Sequence, residues 1–229
     1  MLRLEDVIVR QGEFTLSVNL DVPKGARVAL MGVSGSGKST LLSVVAGFVW
    51  PDEGLVLIDG VDVSRAPVAE RAMSILFQDG NLFPHLNVFD NVALGIDPGL
   101  KLSRADRSRV GDALEKVGLK GYDARKPGDL SGGQQSRVAL ARMLLQDRPL
   151  VLLDEPFAAL DPGLRREMLA LVGALCDETG QTLVMVTHDL LDAEKLCDRI
   201  VLLEDGAVVL DGDLGEAIAG RAEPLMPWM

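Results

Sequence analysis

Apolar and polar residues alternate strictly near the start of the chain. Phe14, Leu16, Val18, Leu20 and Val22 are interleaved with Thr15, Ser17, Asn19 and Asp21, the period of two that marks a strand with one buried face. An antiparallel β layer is predicted there. A second β signal at Leu55 to Ile58 runs into Asp59-Gly60, a tight-turn pair, before Val61. From Asn81 to Gln146 the texture changes. Val110, Ala113, Leu114 and Val117 recur at helical spacing, Ser103 is placed to cap that helix, and β-branched runs are few. This predicts a mainly helical insert. Beyond it, short apolar strands at Leu150 to Leu153, Thr182 to Val186 and Ile200 to Leu203 alternate with amphipathic helices such as Leu164 to Cys176. That order predicts an α/β fold with a mostly parallel sheet covered by helices. The expected organisation is one domain over 1–229, with a core from 1–80 and 147–229 and a helical subdomain over 81–146. Arg221 to Met229 shows no period and is expected to fray.

Bulk properties narrow the partners. A formal net charge of −11 repels a phosphodiester backbone, and no local basic patch reverses it, so no nucleic-acid partner is expected. The longest charge-free stretch, Ser39 to Pro51, is too short to span a bilayer, and Glu5 and Asp6 interrupt the N-terminus. Neither a membrane span nor a secretion signal is expected. Cys176 and Cys197 lack metal-ligand spacing and read as small buried apolar residues in a reducing compartment.

Three stretches carry chemistry. Gly32-Val33-Ser34-Gly35-Ser36-Gly37-Lys38-Ser39, followed by Thr40, fits the phosphate-binding pattern G-x-x-x-x-G-K-[ST]. It follows the apolar strand Val28 to Met31 and opens the apolar helix of Leu41, Leu42, Val44 and Val45. Glycines allow successive N–H groups to converge on a β-phosphate, Lys38 reaches the β/γ oxygens, and the Ser39 hydroxyl suits Mg²⁺. Leu150 to Leu153 ends in Asp154-Glu155 at the C-terminal edge of its strand, where open α/β sheets bind ligands. Asp154 is placed for the Mg²⁺ shell, and Glu155 for polarising the attacking water. Taken alone, an acidic pair ending a strand is as often a solvated turn. The third stretch, Leu130-Ser131-Gly132-Gly133-Gln134, offers a capped helix start with bare glycine N–H groups, a second anion site.

With Leu130 to Gln134 lying between the phosphate loop and the carboxylate strand in the chain, the three resemble the ABC ATPases, over nearly the whole chain from Leu2 to about Ala219. The resemblance implies a P-loop NTPase (RecA-like) core with an N-terminal antiparallel β layer and a helical signature subdomain. It also implies ATP and Mg²⁺ as ligands, and a signature loop, Ser131 to Gln134, that faces ATP bound to a second copy of the chain. Gln78, after Ile75-Leu76-Phe77, resembles the glutamine that contacts Mg²⁺ and water and reports to the membrane subunit. Asp161, in Ala159-Leu160-Asp161, resembles the contact to the opposite site. His188, in Val-Thr-His-Asp, resembles the switch histidine on the γ-phosphate, whereas His85 has no matching place. Two positions depart from the family pattern: Gln11 stands where an aromatic commonly stacks on adenine, with Phe14 the nearest ring, and Ser136 stands where Gln is common.

The particular transporter is a further resemblance. Gly47-Phe48, Leu57 to Asp62, Leu76-Phe77-Gln78, Asn81-Leu82-Phe83 and Leu94 to Leu102 are similar to the ATP-binding subunits of bacterial thiamine and thiamine-pyrophosphate importers. Pro98-Gly99-Leu100-Lys101-Leu102 is the most particular of these, since it has no evident part in ATP chemistry. The extra C-terminal β domain of many sugar, sulfate and polyamine importers is not expected after Asp211. The implied partners are transmembrane permease subunits and, through them, a periplasmic solute-binding protein. The implied location is peripheral, on the cytoplasmic face of the inner membrane. An importer of another small solute (iron, sulfate, molybdate, polyamine) and a non-transport ABC ATPase remain as alternatives. A P-loop kinase or GTPase fits poorly, because the signature loop is present and no Asn-Lys-x-Asp guanine reader occurs.

Overall fold

The computed structural model describes residues 1–77, 81–158 and 160–228. Strands β1 (Leu2–Gln11) and β2 (Phe14–Val22) pair antiparallel as a hairpin, in which Leu16, Val18, Leu20 and Val22 are buried and the polar residues between them exposed. The register slips between Leu4 and Val7, where Asp6 takes a positive φ of 48° and its N–H donates to Asn19 Oδ1 at 2.6 Å. Next come β3 (Arg27–Met31) and helix α1 (Lys38–Ala46), then β4 (Glu53–Ile58) and β5 (Val61–Asp62). Asp59 and Gly60 join the last two at φ 50° and 77°, the left-handed pair that a tight hairpin requires. Strand β6 (Met73–Leu76) follows, then α2 (Val88–Ala93), α3 (Arg104–Lys116) and α4 (Gly132–Leu144). The chain finishes with β7 (Leu150–Asp154), α5 (Pro162–Thr179), β8 (Thr182–Val186), α6 (Leu190–Leu196), β9 (Arg199–Glu204), β10 (Ala207–Asp213) and α7 (Leu214–Ala219).

Two compact units result, residues 1–73, 149–154 and 169–229, and residues 74–148 and 155–168. The first is built on a sheet in the order β5-β4-β1-β2-β10-β9-β3-β8-β7. Strands β9, β3, β8 and β7 run parallel, and the β1, β2, β4 layer is antiparallel. Strand β10 joins the two regimes, antiparallel to β9 and parallel to β2 at Ala207 and Ser17. The parallel strands are buried along their middles, as strands covered on both faces must be. Leu41, Leu42 and Val45 of α1 meet Leu30, Leu152 and Val184 around a void of only about 10 Å³.

The second unit holds most of β6 together with α2, α3 and α4. Val110, Ala113, Leu114 and Val117 are all buried, and Ser103 caps α3 through a reciprocal pair with Asp106. Bonding to Ser103 holds the Asp106 carboxyl below its ordinary pKa. Among the described residues no helix is long and apolar enough to cross a membrane. The expectation that Arg221 to Met229 frays is corrected by the structure. Residues Glu223–Trp228 form a 3-10 turn because Leu225 is fully buried; Met229 lies outside the described residues.

Candidate functional site

Parallel strands present their C-terminal ends at one edge of a sheet. In the first unit this brings the ends of β3, β8 and β7 together, and with them Gly32, His188 and Asp154. The loop between β3 and α1 is shaped by three glycines with positive φ, Gly32, Gly35 and Gly37. A Cβ on Gly32 would strike the Leu203 carbonyl oxygen and Ser36 Oγ, and one on Gly37 would come within 2.9 Å of Phe14 Cζ and 3.1 Å of Leu16 Cδ1. No side chain fits at either position. Val33, Ser34 and Gly35 are exposed, whereas Ser36 is buried with its Oγ lacking a hydrogen-bond partner. Lys38 Nζ donates to Gly32 O at 2.7 Å and Val33 O at 2.9 Å. Its ammonium therefore arches over the loop's own carbonyls. Ser39 is exposed and Thr40 half-buried in the first turn of α1, and no acidic residue occupies that turn. The helix start is consequently electropositive and open to an anion.

Asp154 closes β7, pairs in register with Val186 of β8, and is half-buried. Helix α1 packs on β7. A Ser39 hydroxyl and an Asp154 carboxylate are hard oxygen donors of the kind Mg²⁺ takes alongside substrate phosphates, so this donor set fits that ion. His188 is exposed just after β8. Its position is set by neighbours on both sides: Thr187 N–H donates to Leu30 O at 3.3 Å, and Asp189 N–H donates to Thr187 Oγ1 at 3.1 Å. Asp189 in turn caps α6, accepting from Leu191 N–H at 2.9 Å.

The second unit holds the remaining residues. Glu155, next after Asp154, sits at φ 44°, a conformation that costs a non-glycine residue about 1 to 2 kcal/mol per position. Asp161 caps α5, its Oδ1 accepting from Gly163 N–H at 3.1 Å and Leu164 N–H at 3.0 Å. Ser131 caps α4: its Oγ accepts from Gln134 N–H at 3.3 Å, and Gln134 Oε1 accepts from Ser131 N–H at 3.0 Å. The cap is neutral and the first turn carries no acid, which preserves the positive end of a helix of 13 residues. Gly132 faces open space, while a Cβ on Gly133 would press to 3.3 Å against Leu160 and Leu164. Ser136 donates to Gly132 O at 3.2 Å and Gln135 Nε2 to Pro127 O at 3.0 Å, so both turn back on the loop. Gln78 and Ala159 lie outside the described residues.

Two contacts, Phe14 on Gly37 and Arg71 on the end of α1, had no signal in the sequence. Phe14 is half-buried with its ring against Gly37, and it pairs across the first hairpin with exposed Gln11. Arg71 is buried at 1% exposure, and its guanidinium caps the far end of α1. A lone arginine far along the chain gives no local sign of that contact.

Known proteins share this outline. A family model described as ABC transporter matches residues 16–158. A thiamine import ATP-binding protein ThiQ from Jannaschia sp. (strain CCS1) is 70% identical over 229 residues, 100% of each chain. Its counterpart from Cereibacter sphaeroides is 53% identical over 206 residues, 90% of this chain and 89% of that protein. Among solved structures, the dimeric post-hydrolysis state of the ATP-binding cassette MJ0796 bound to ADP and Pi superposes with a TM-score of 0.84 at 35% identity. That match covers 93% of this chain and 99% of the other.

Proposed function

Because this chain belongs to the ABC transporter family of ATP-binding cassettes, we propose that it is the ATP-hydrolysing subunit that energises a thiamine or thiamine-pyrophosphate importer. One observation carries the reading: a phosphate loop and a strand-end carboxylate share one sheet edge, in a chain matched from end to end by a protein named for thiamine import.

The division of labour follows from the chemistry at each position. Backbone N–H groups from Gly32 to Thr40 bind the β-phosphate, and Lys38 swings from the Gly32 and Val33 carbonyls onto the β/γ oxygens. Ser39, Asp154 and Gln78 would hold Mg²⁺, which would supply charge neutralisation to the phosphate oxygens. The Glu155 carboxylate takes a proton from the water that attacks the γ-phosphorus, while the bond to the ADP oxygen breaks. His188 bonds the γ-phosphate. The neutral, capped start of α4, with Ser131, Gly132, Gly133 and Gln134, binds the γ-phosphate of ATP held by a second copy, and Asp161 contacts that same site. Each chain thus carries two incomplete sites, and catalysis needs two chains. Transmembrane permease subunits receive the motion at the cytoplasmic face of the inner membrane, and a periplasmic solute-binding protein delivers the cargo to them.

A Glu155→Gln variant tests the pairing. ATP with Mg²⁺ should convert it from monomer to dimer in size exclusion with light scattering, and ADP should not. Adding Ser131→Arg fills the anion site and should abolish the dimer while monomers still bind ATP. A double variant that dimerises with ATP would refute the role of the α4 start. For the cargo, thiamine and its binding protein should stimulate ATP turnover of the subunit reconstituted with its permease. Stimulation by another solute alone would refute thiamine import.

A further inference from the structure

The last turn of the chain is held from within. Leu225 is fully buried, its N–H donates to Ala222 O at 2.8 Å, and Ala222 N–H donates to Ala217 O at 2.9 Å. This leaves Trp228 half-buried on the wall shared by two open clefts of the first unit. One, of about 330 Å³, separates the tail from Val33 of the phosphate loop and the end of β9. The other, of about 620 Å³, is walled by His188, Leu191 and Glu194 together with Pro227 and Trp228. The clefts that the indole walls carry open apolar side chains: Val33 is 52% exposed and Leu191 63%. Their rim is acidic, with Asp189, Glu194, Glu204 and Glu223. An apolar patch with a polar rim, centred on a tryptophan beside the phosphate loop, has the composition of a protein interface anchor.

We propose that Trp228 anchors the face on which a second copy of this chain docks, so that ATP-driven pairing covers the indole and seals the Val33 and His188 side of the site from water. The proposal rests on the paired-site reading above. Charge selects the occupant and its orientation. The first unit carries 22 acidic and 10 basic residues, a balance of −12, and the second carries 12 and 13, a balance of +1. Two first units set face to face would repel. Docking the partner copy's second unit on the acidic rim removes that repulsion, and it is the same head-to-tail arrangement that brings the start of α4 to the nucleotide.

Trp50 and Trp228 are the two tryptophans of the chain, so Trp50→Phe leaves Trp228 as the reporter. In a Glu155→Gln, Trp50→Phe background, ATP with Mg²⁺ should produce a dimer by light scattering and lower acrylamide quenching of Trp228 about 3-fold or more, as burial of an indole at an interface core requires. Trp228→Ala in the Glu155→Gln background should raise the protein concentration at half-dimerisation about 10-fold or more, with monomeric ATP affinity held within about 2-fold. A dimer whose Trp228 is quenched as readily as the monomer's overturns the anchor and leaves the paired-site reading standing. A Trp228→Ala variant that dimerises at the parent concentration does the same. Absence of any ATP-dependent dimer overturns both.

Discussion

Replacing Arg71 with Met should cost about 3 kcal/mol of stability through helix α1, although Arg71 lies far from that helix in sequence. The last four carbonyls of any helix lack intrahelical partners. At the end of α1, Gly47 N–H donates to Ser43 O at 3.0 Å and Val44 O at 3.2 Å. The Arg71 guanidinium reaches two carbonyls of that end, with Nη1 donating to Val44 O and Val45 O at 2.7 Å each, and its Nε donates to Ala66 O at 3.1 Å. Hydrogen bonds to a charged donor contribute about 1.5 to 3 kcal/mol each. Against them stands the burial of the cation itself, which lowers its pKa despite the opposing charge of Asp62, and an Nη2 without a partner. Methionine keeps the stem and its packing but leaves the carbonyls unpaired. For a chain of this size a loss of about 3 kcal/mol lowers Tm by about 6 to 12 °C. Lysine should recover roughly half, as a point charge reaching one carbonyl. Gly47→Ala probes the same contact, since Gly47 sits at φ 90° and a Cβ there would come within 2.5 Å of Arg71 Nε. Scanning calorimetry of the two single variants and their combination gives the answer. The combined loss should be smaller than the sum, because methionine removes the clash while the backbone strain remains. An Arg71→Met variant within about 1 kcal/mol of the parent, or strict additivity with Gly47→Ala, would refute the reasoning.

Lys38→Ala should abolish productive ATP binding, whereas Glu155→Gln should keep binding and slow hydrolysis about 100-fold or more, the effect of losing a positioned base; equal nucleotide affinities by calorimetric titration would contradict that division. Gln11→Tyr places a phenol ring across the hairpin from Phe14 and should tighten ATP binding by about 1 kcal/mol or more through stacking; unchanged affinity would mean that Phe14 already covers the adenine. Burial raises the pKa of both Cys176 and Cys197, so the thiolate fraction at pH 8 lies below that of an ordinary thiol. A disulfide reagent should therefore label neither residue in the native protein and both after denaturation, and prompt labelling of folded protein would refute the burial.

Elements with strong local signals are legible in the order of residues alone. The alternation from Phe14 to Val22 forms a strand with one buried face, Val110, Ala113 and Leu114 form the buried stripe of α3 with Val117 buried at its C-cap, and Ser103 and Ser131 cap their helices with reciprocal partners. In these cases the information sits within a few residues, since side-chain period and cap chemistry are properties of the local backbone. The phosphate loop is legible for the same reason: its glycines are demanded by positive φ and by close approach within one turn. What depends on distant residues is not. That β10 joins a parallel sheet to an antiparallel layer, that Phe14 lies on Gly37, that Arg71 caps α1, and that Leu225 pins a tail expected to fray were decided in three dimensions. Sequence by itself determined which residues had the chemistry for a nucleotide and which segments would form strands and helices. Tertiary structure decided which of them meet, because a contact between residues far apart in the chain leaves no periodicity and depends on the free energy of burying both partners together.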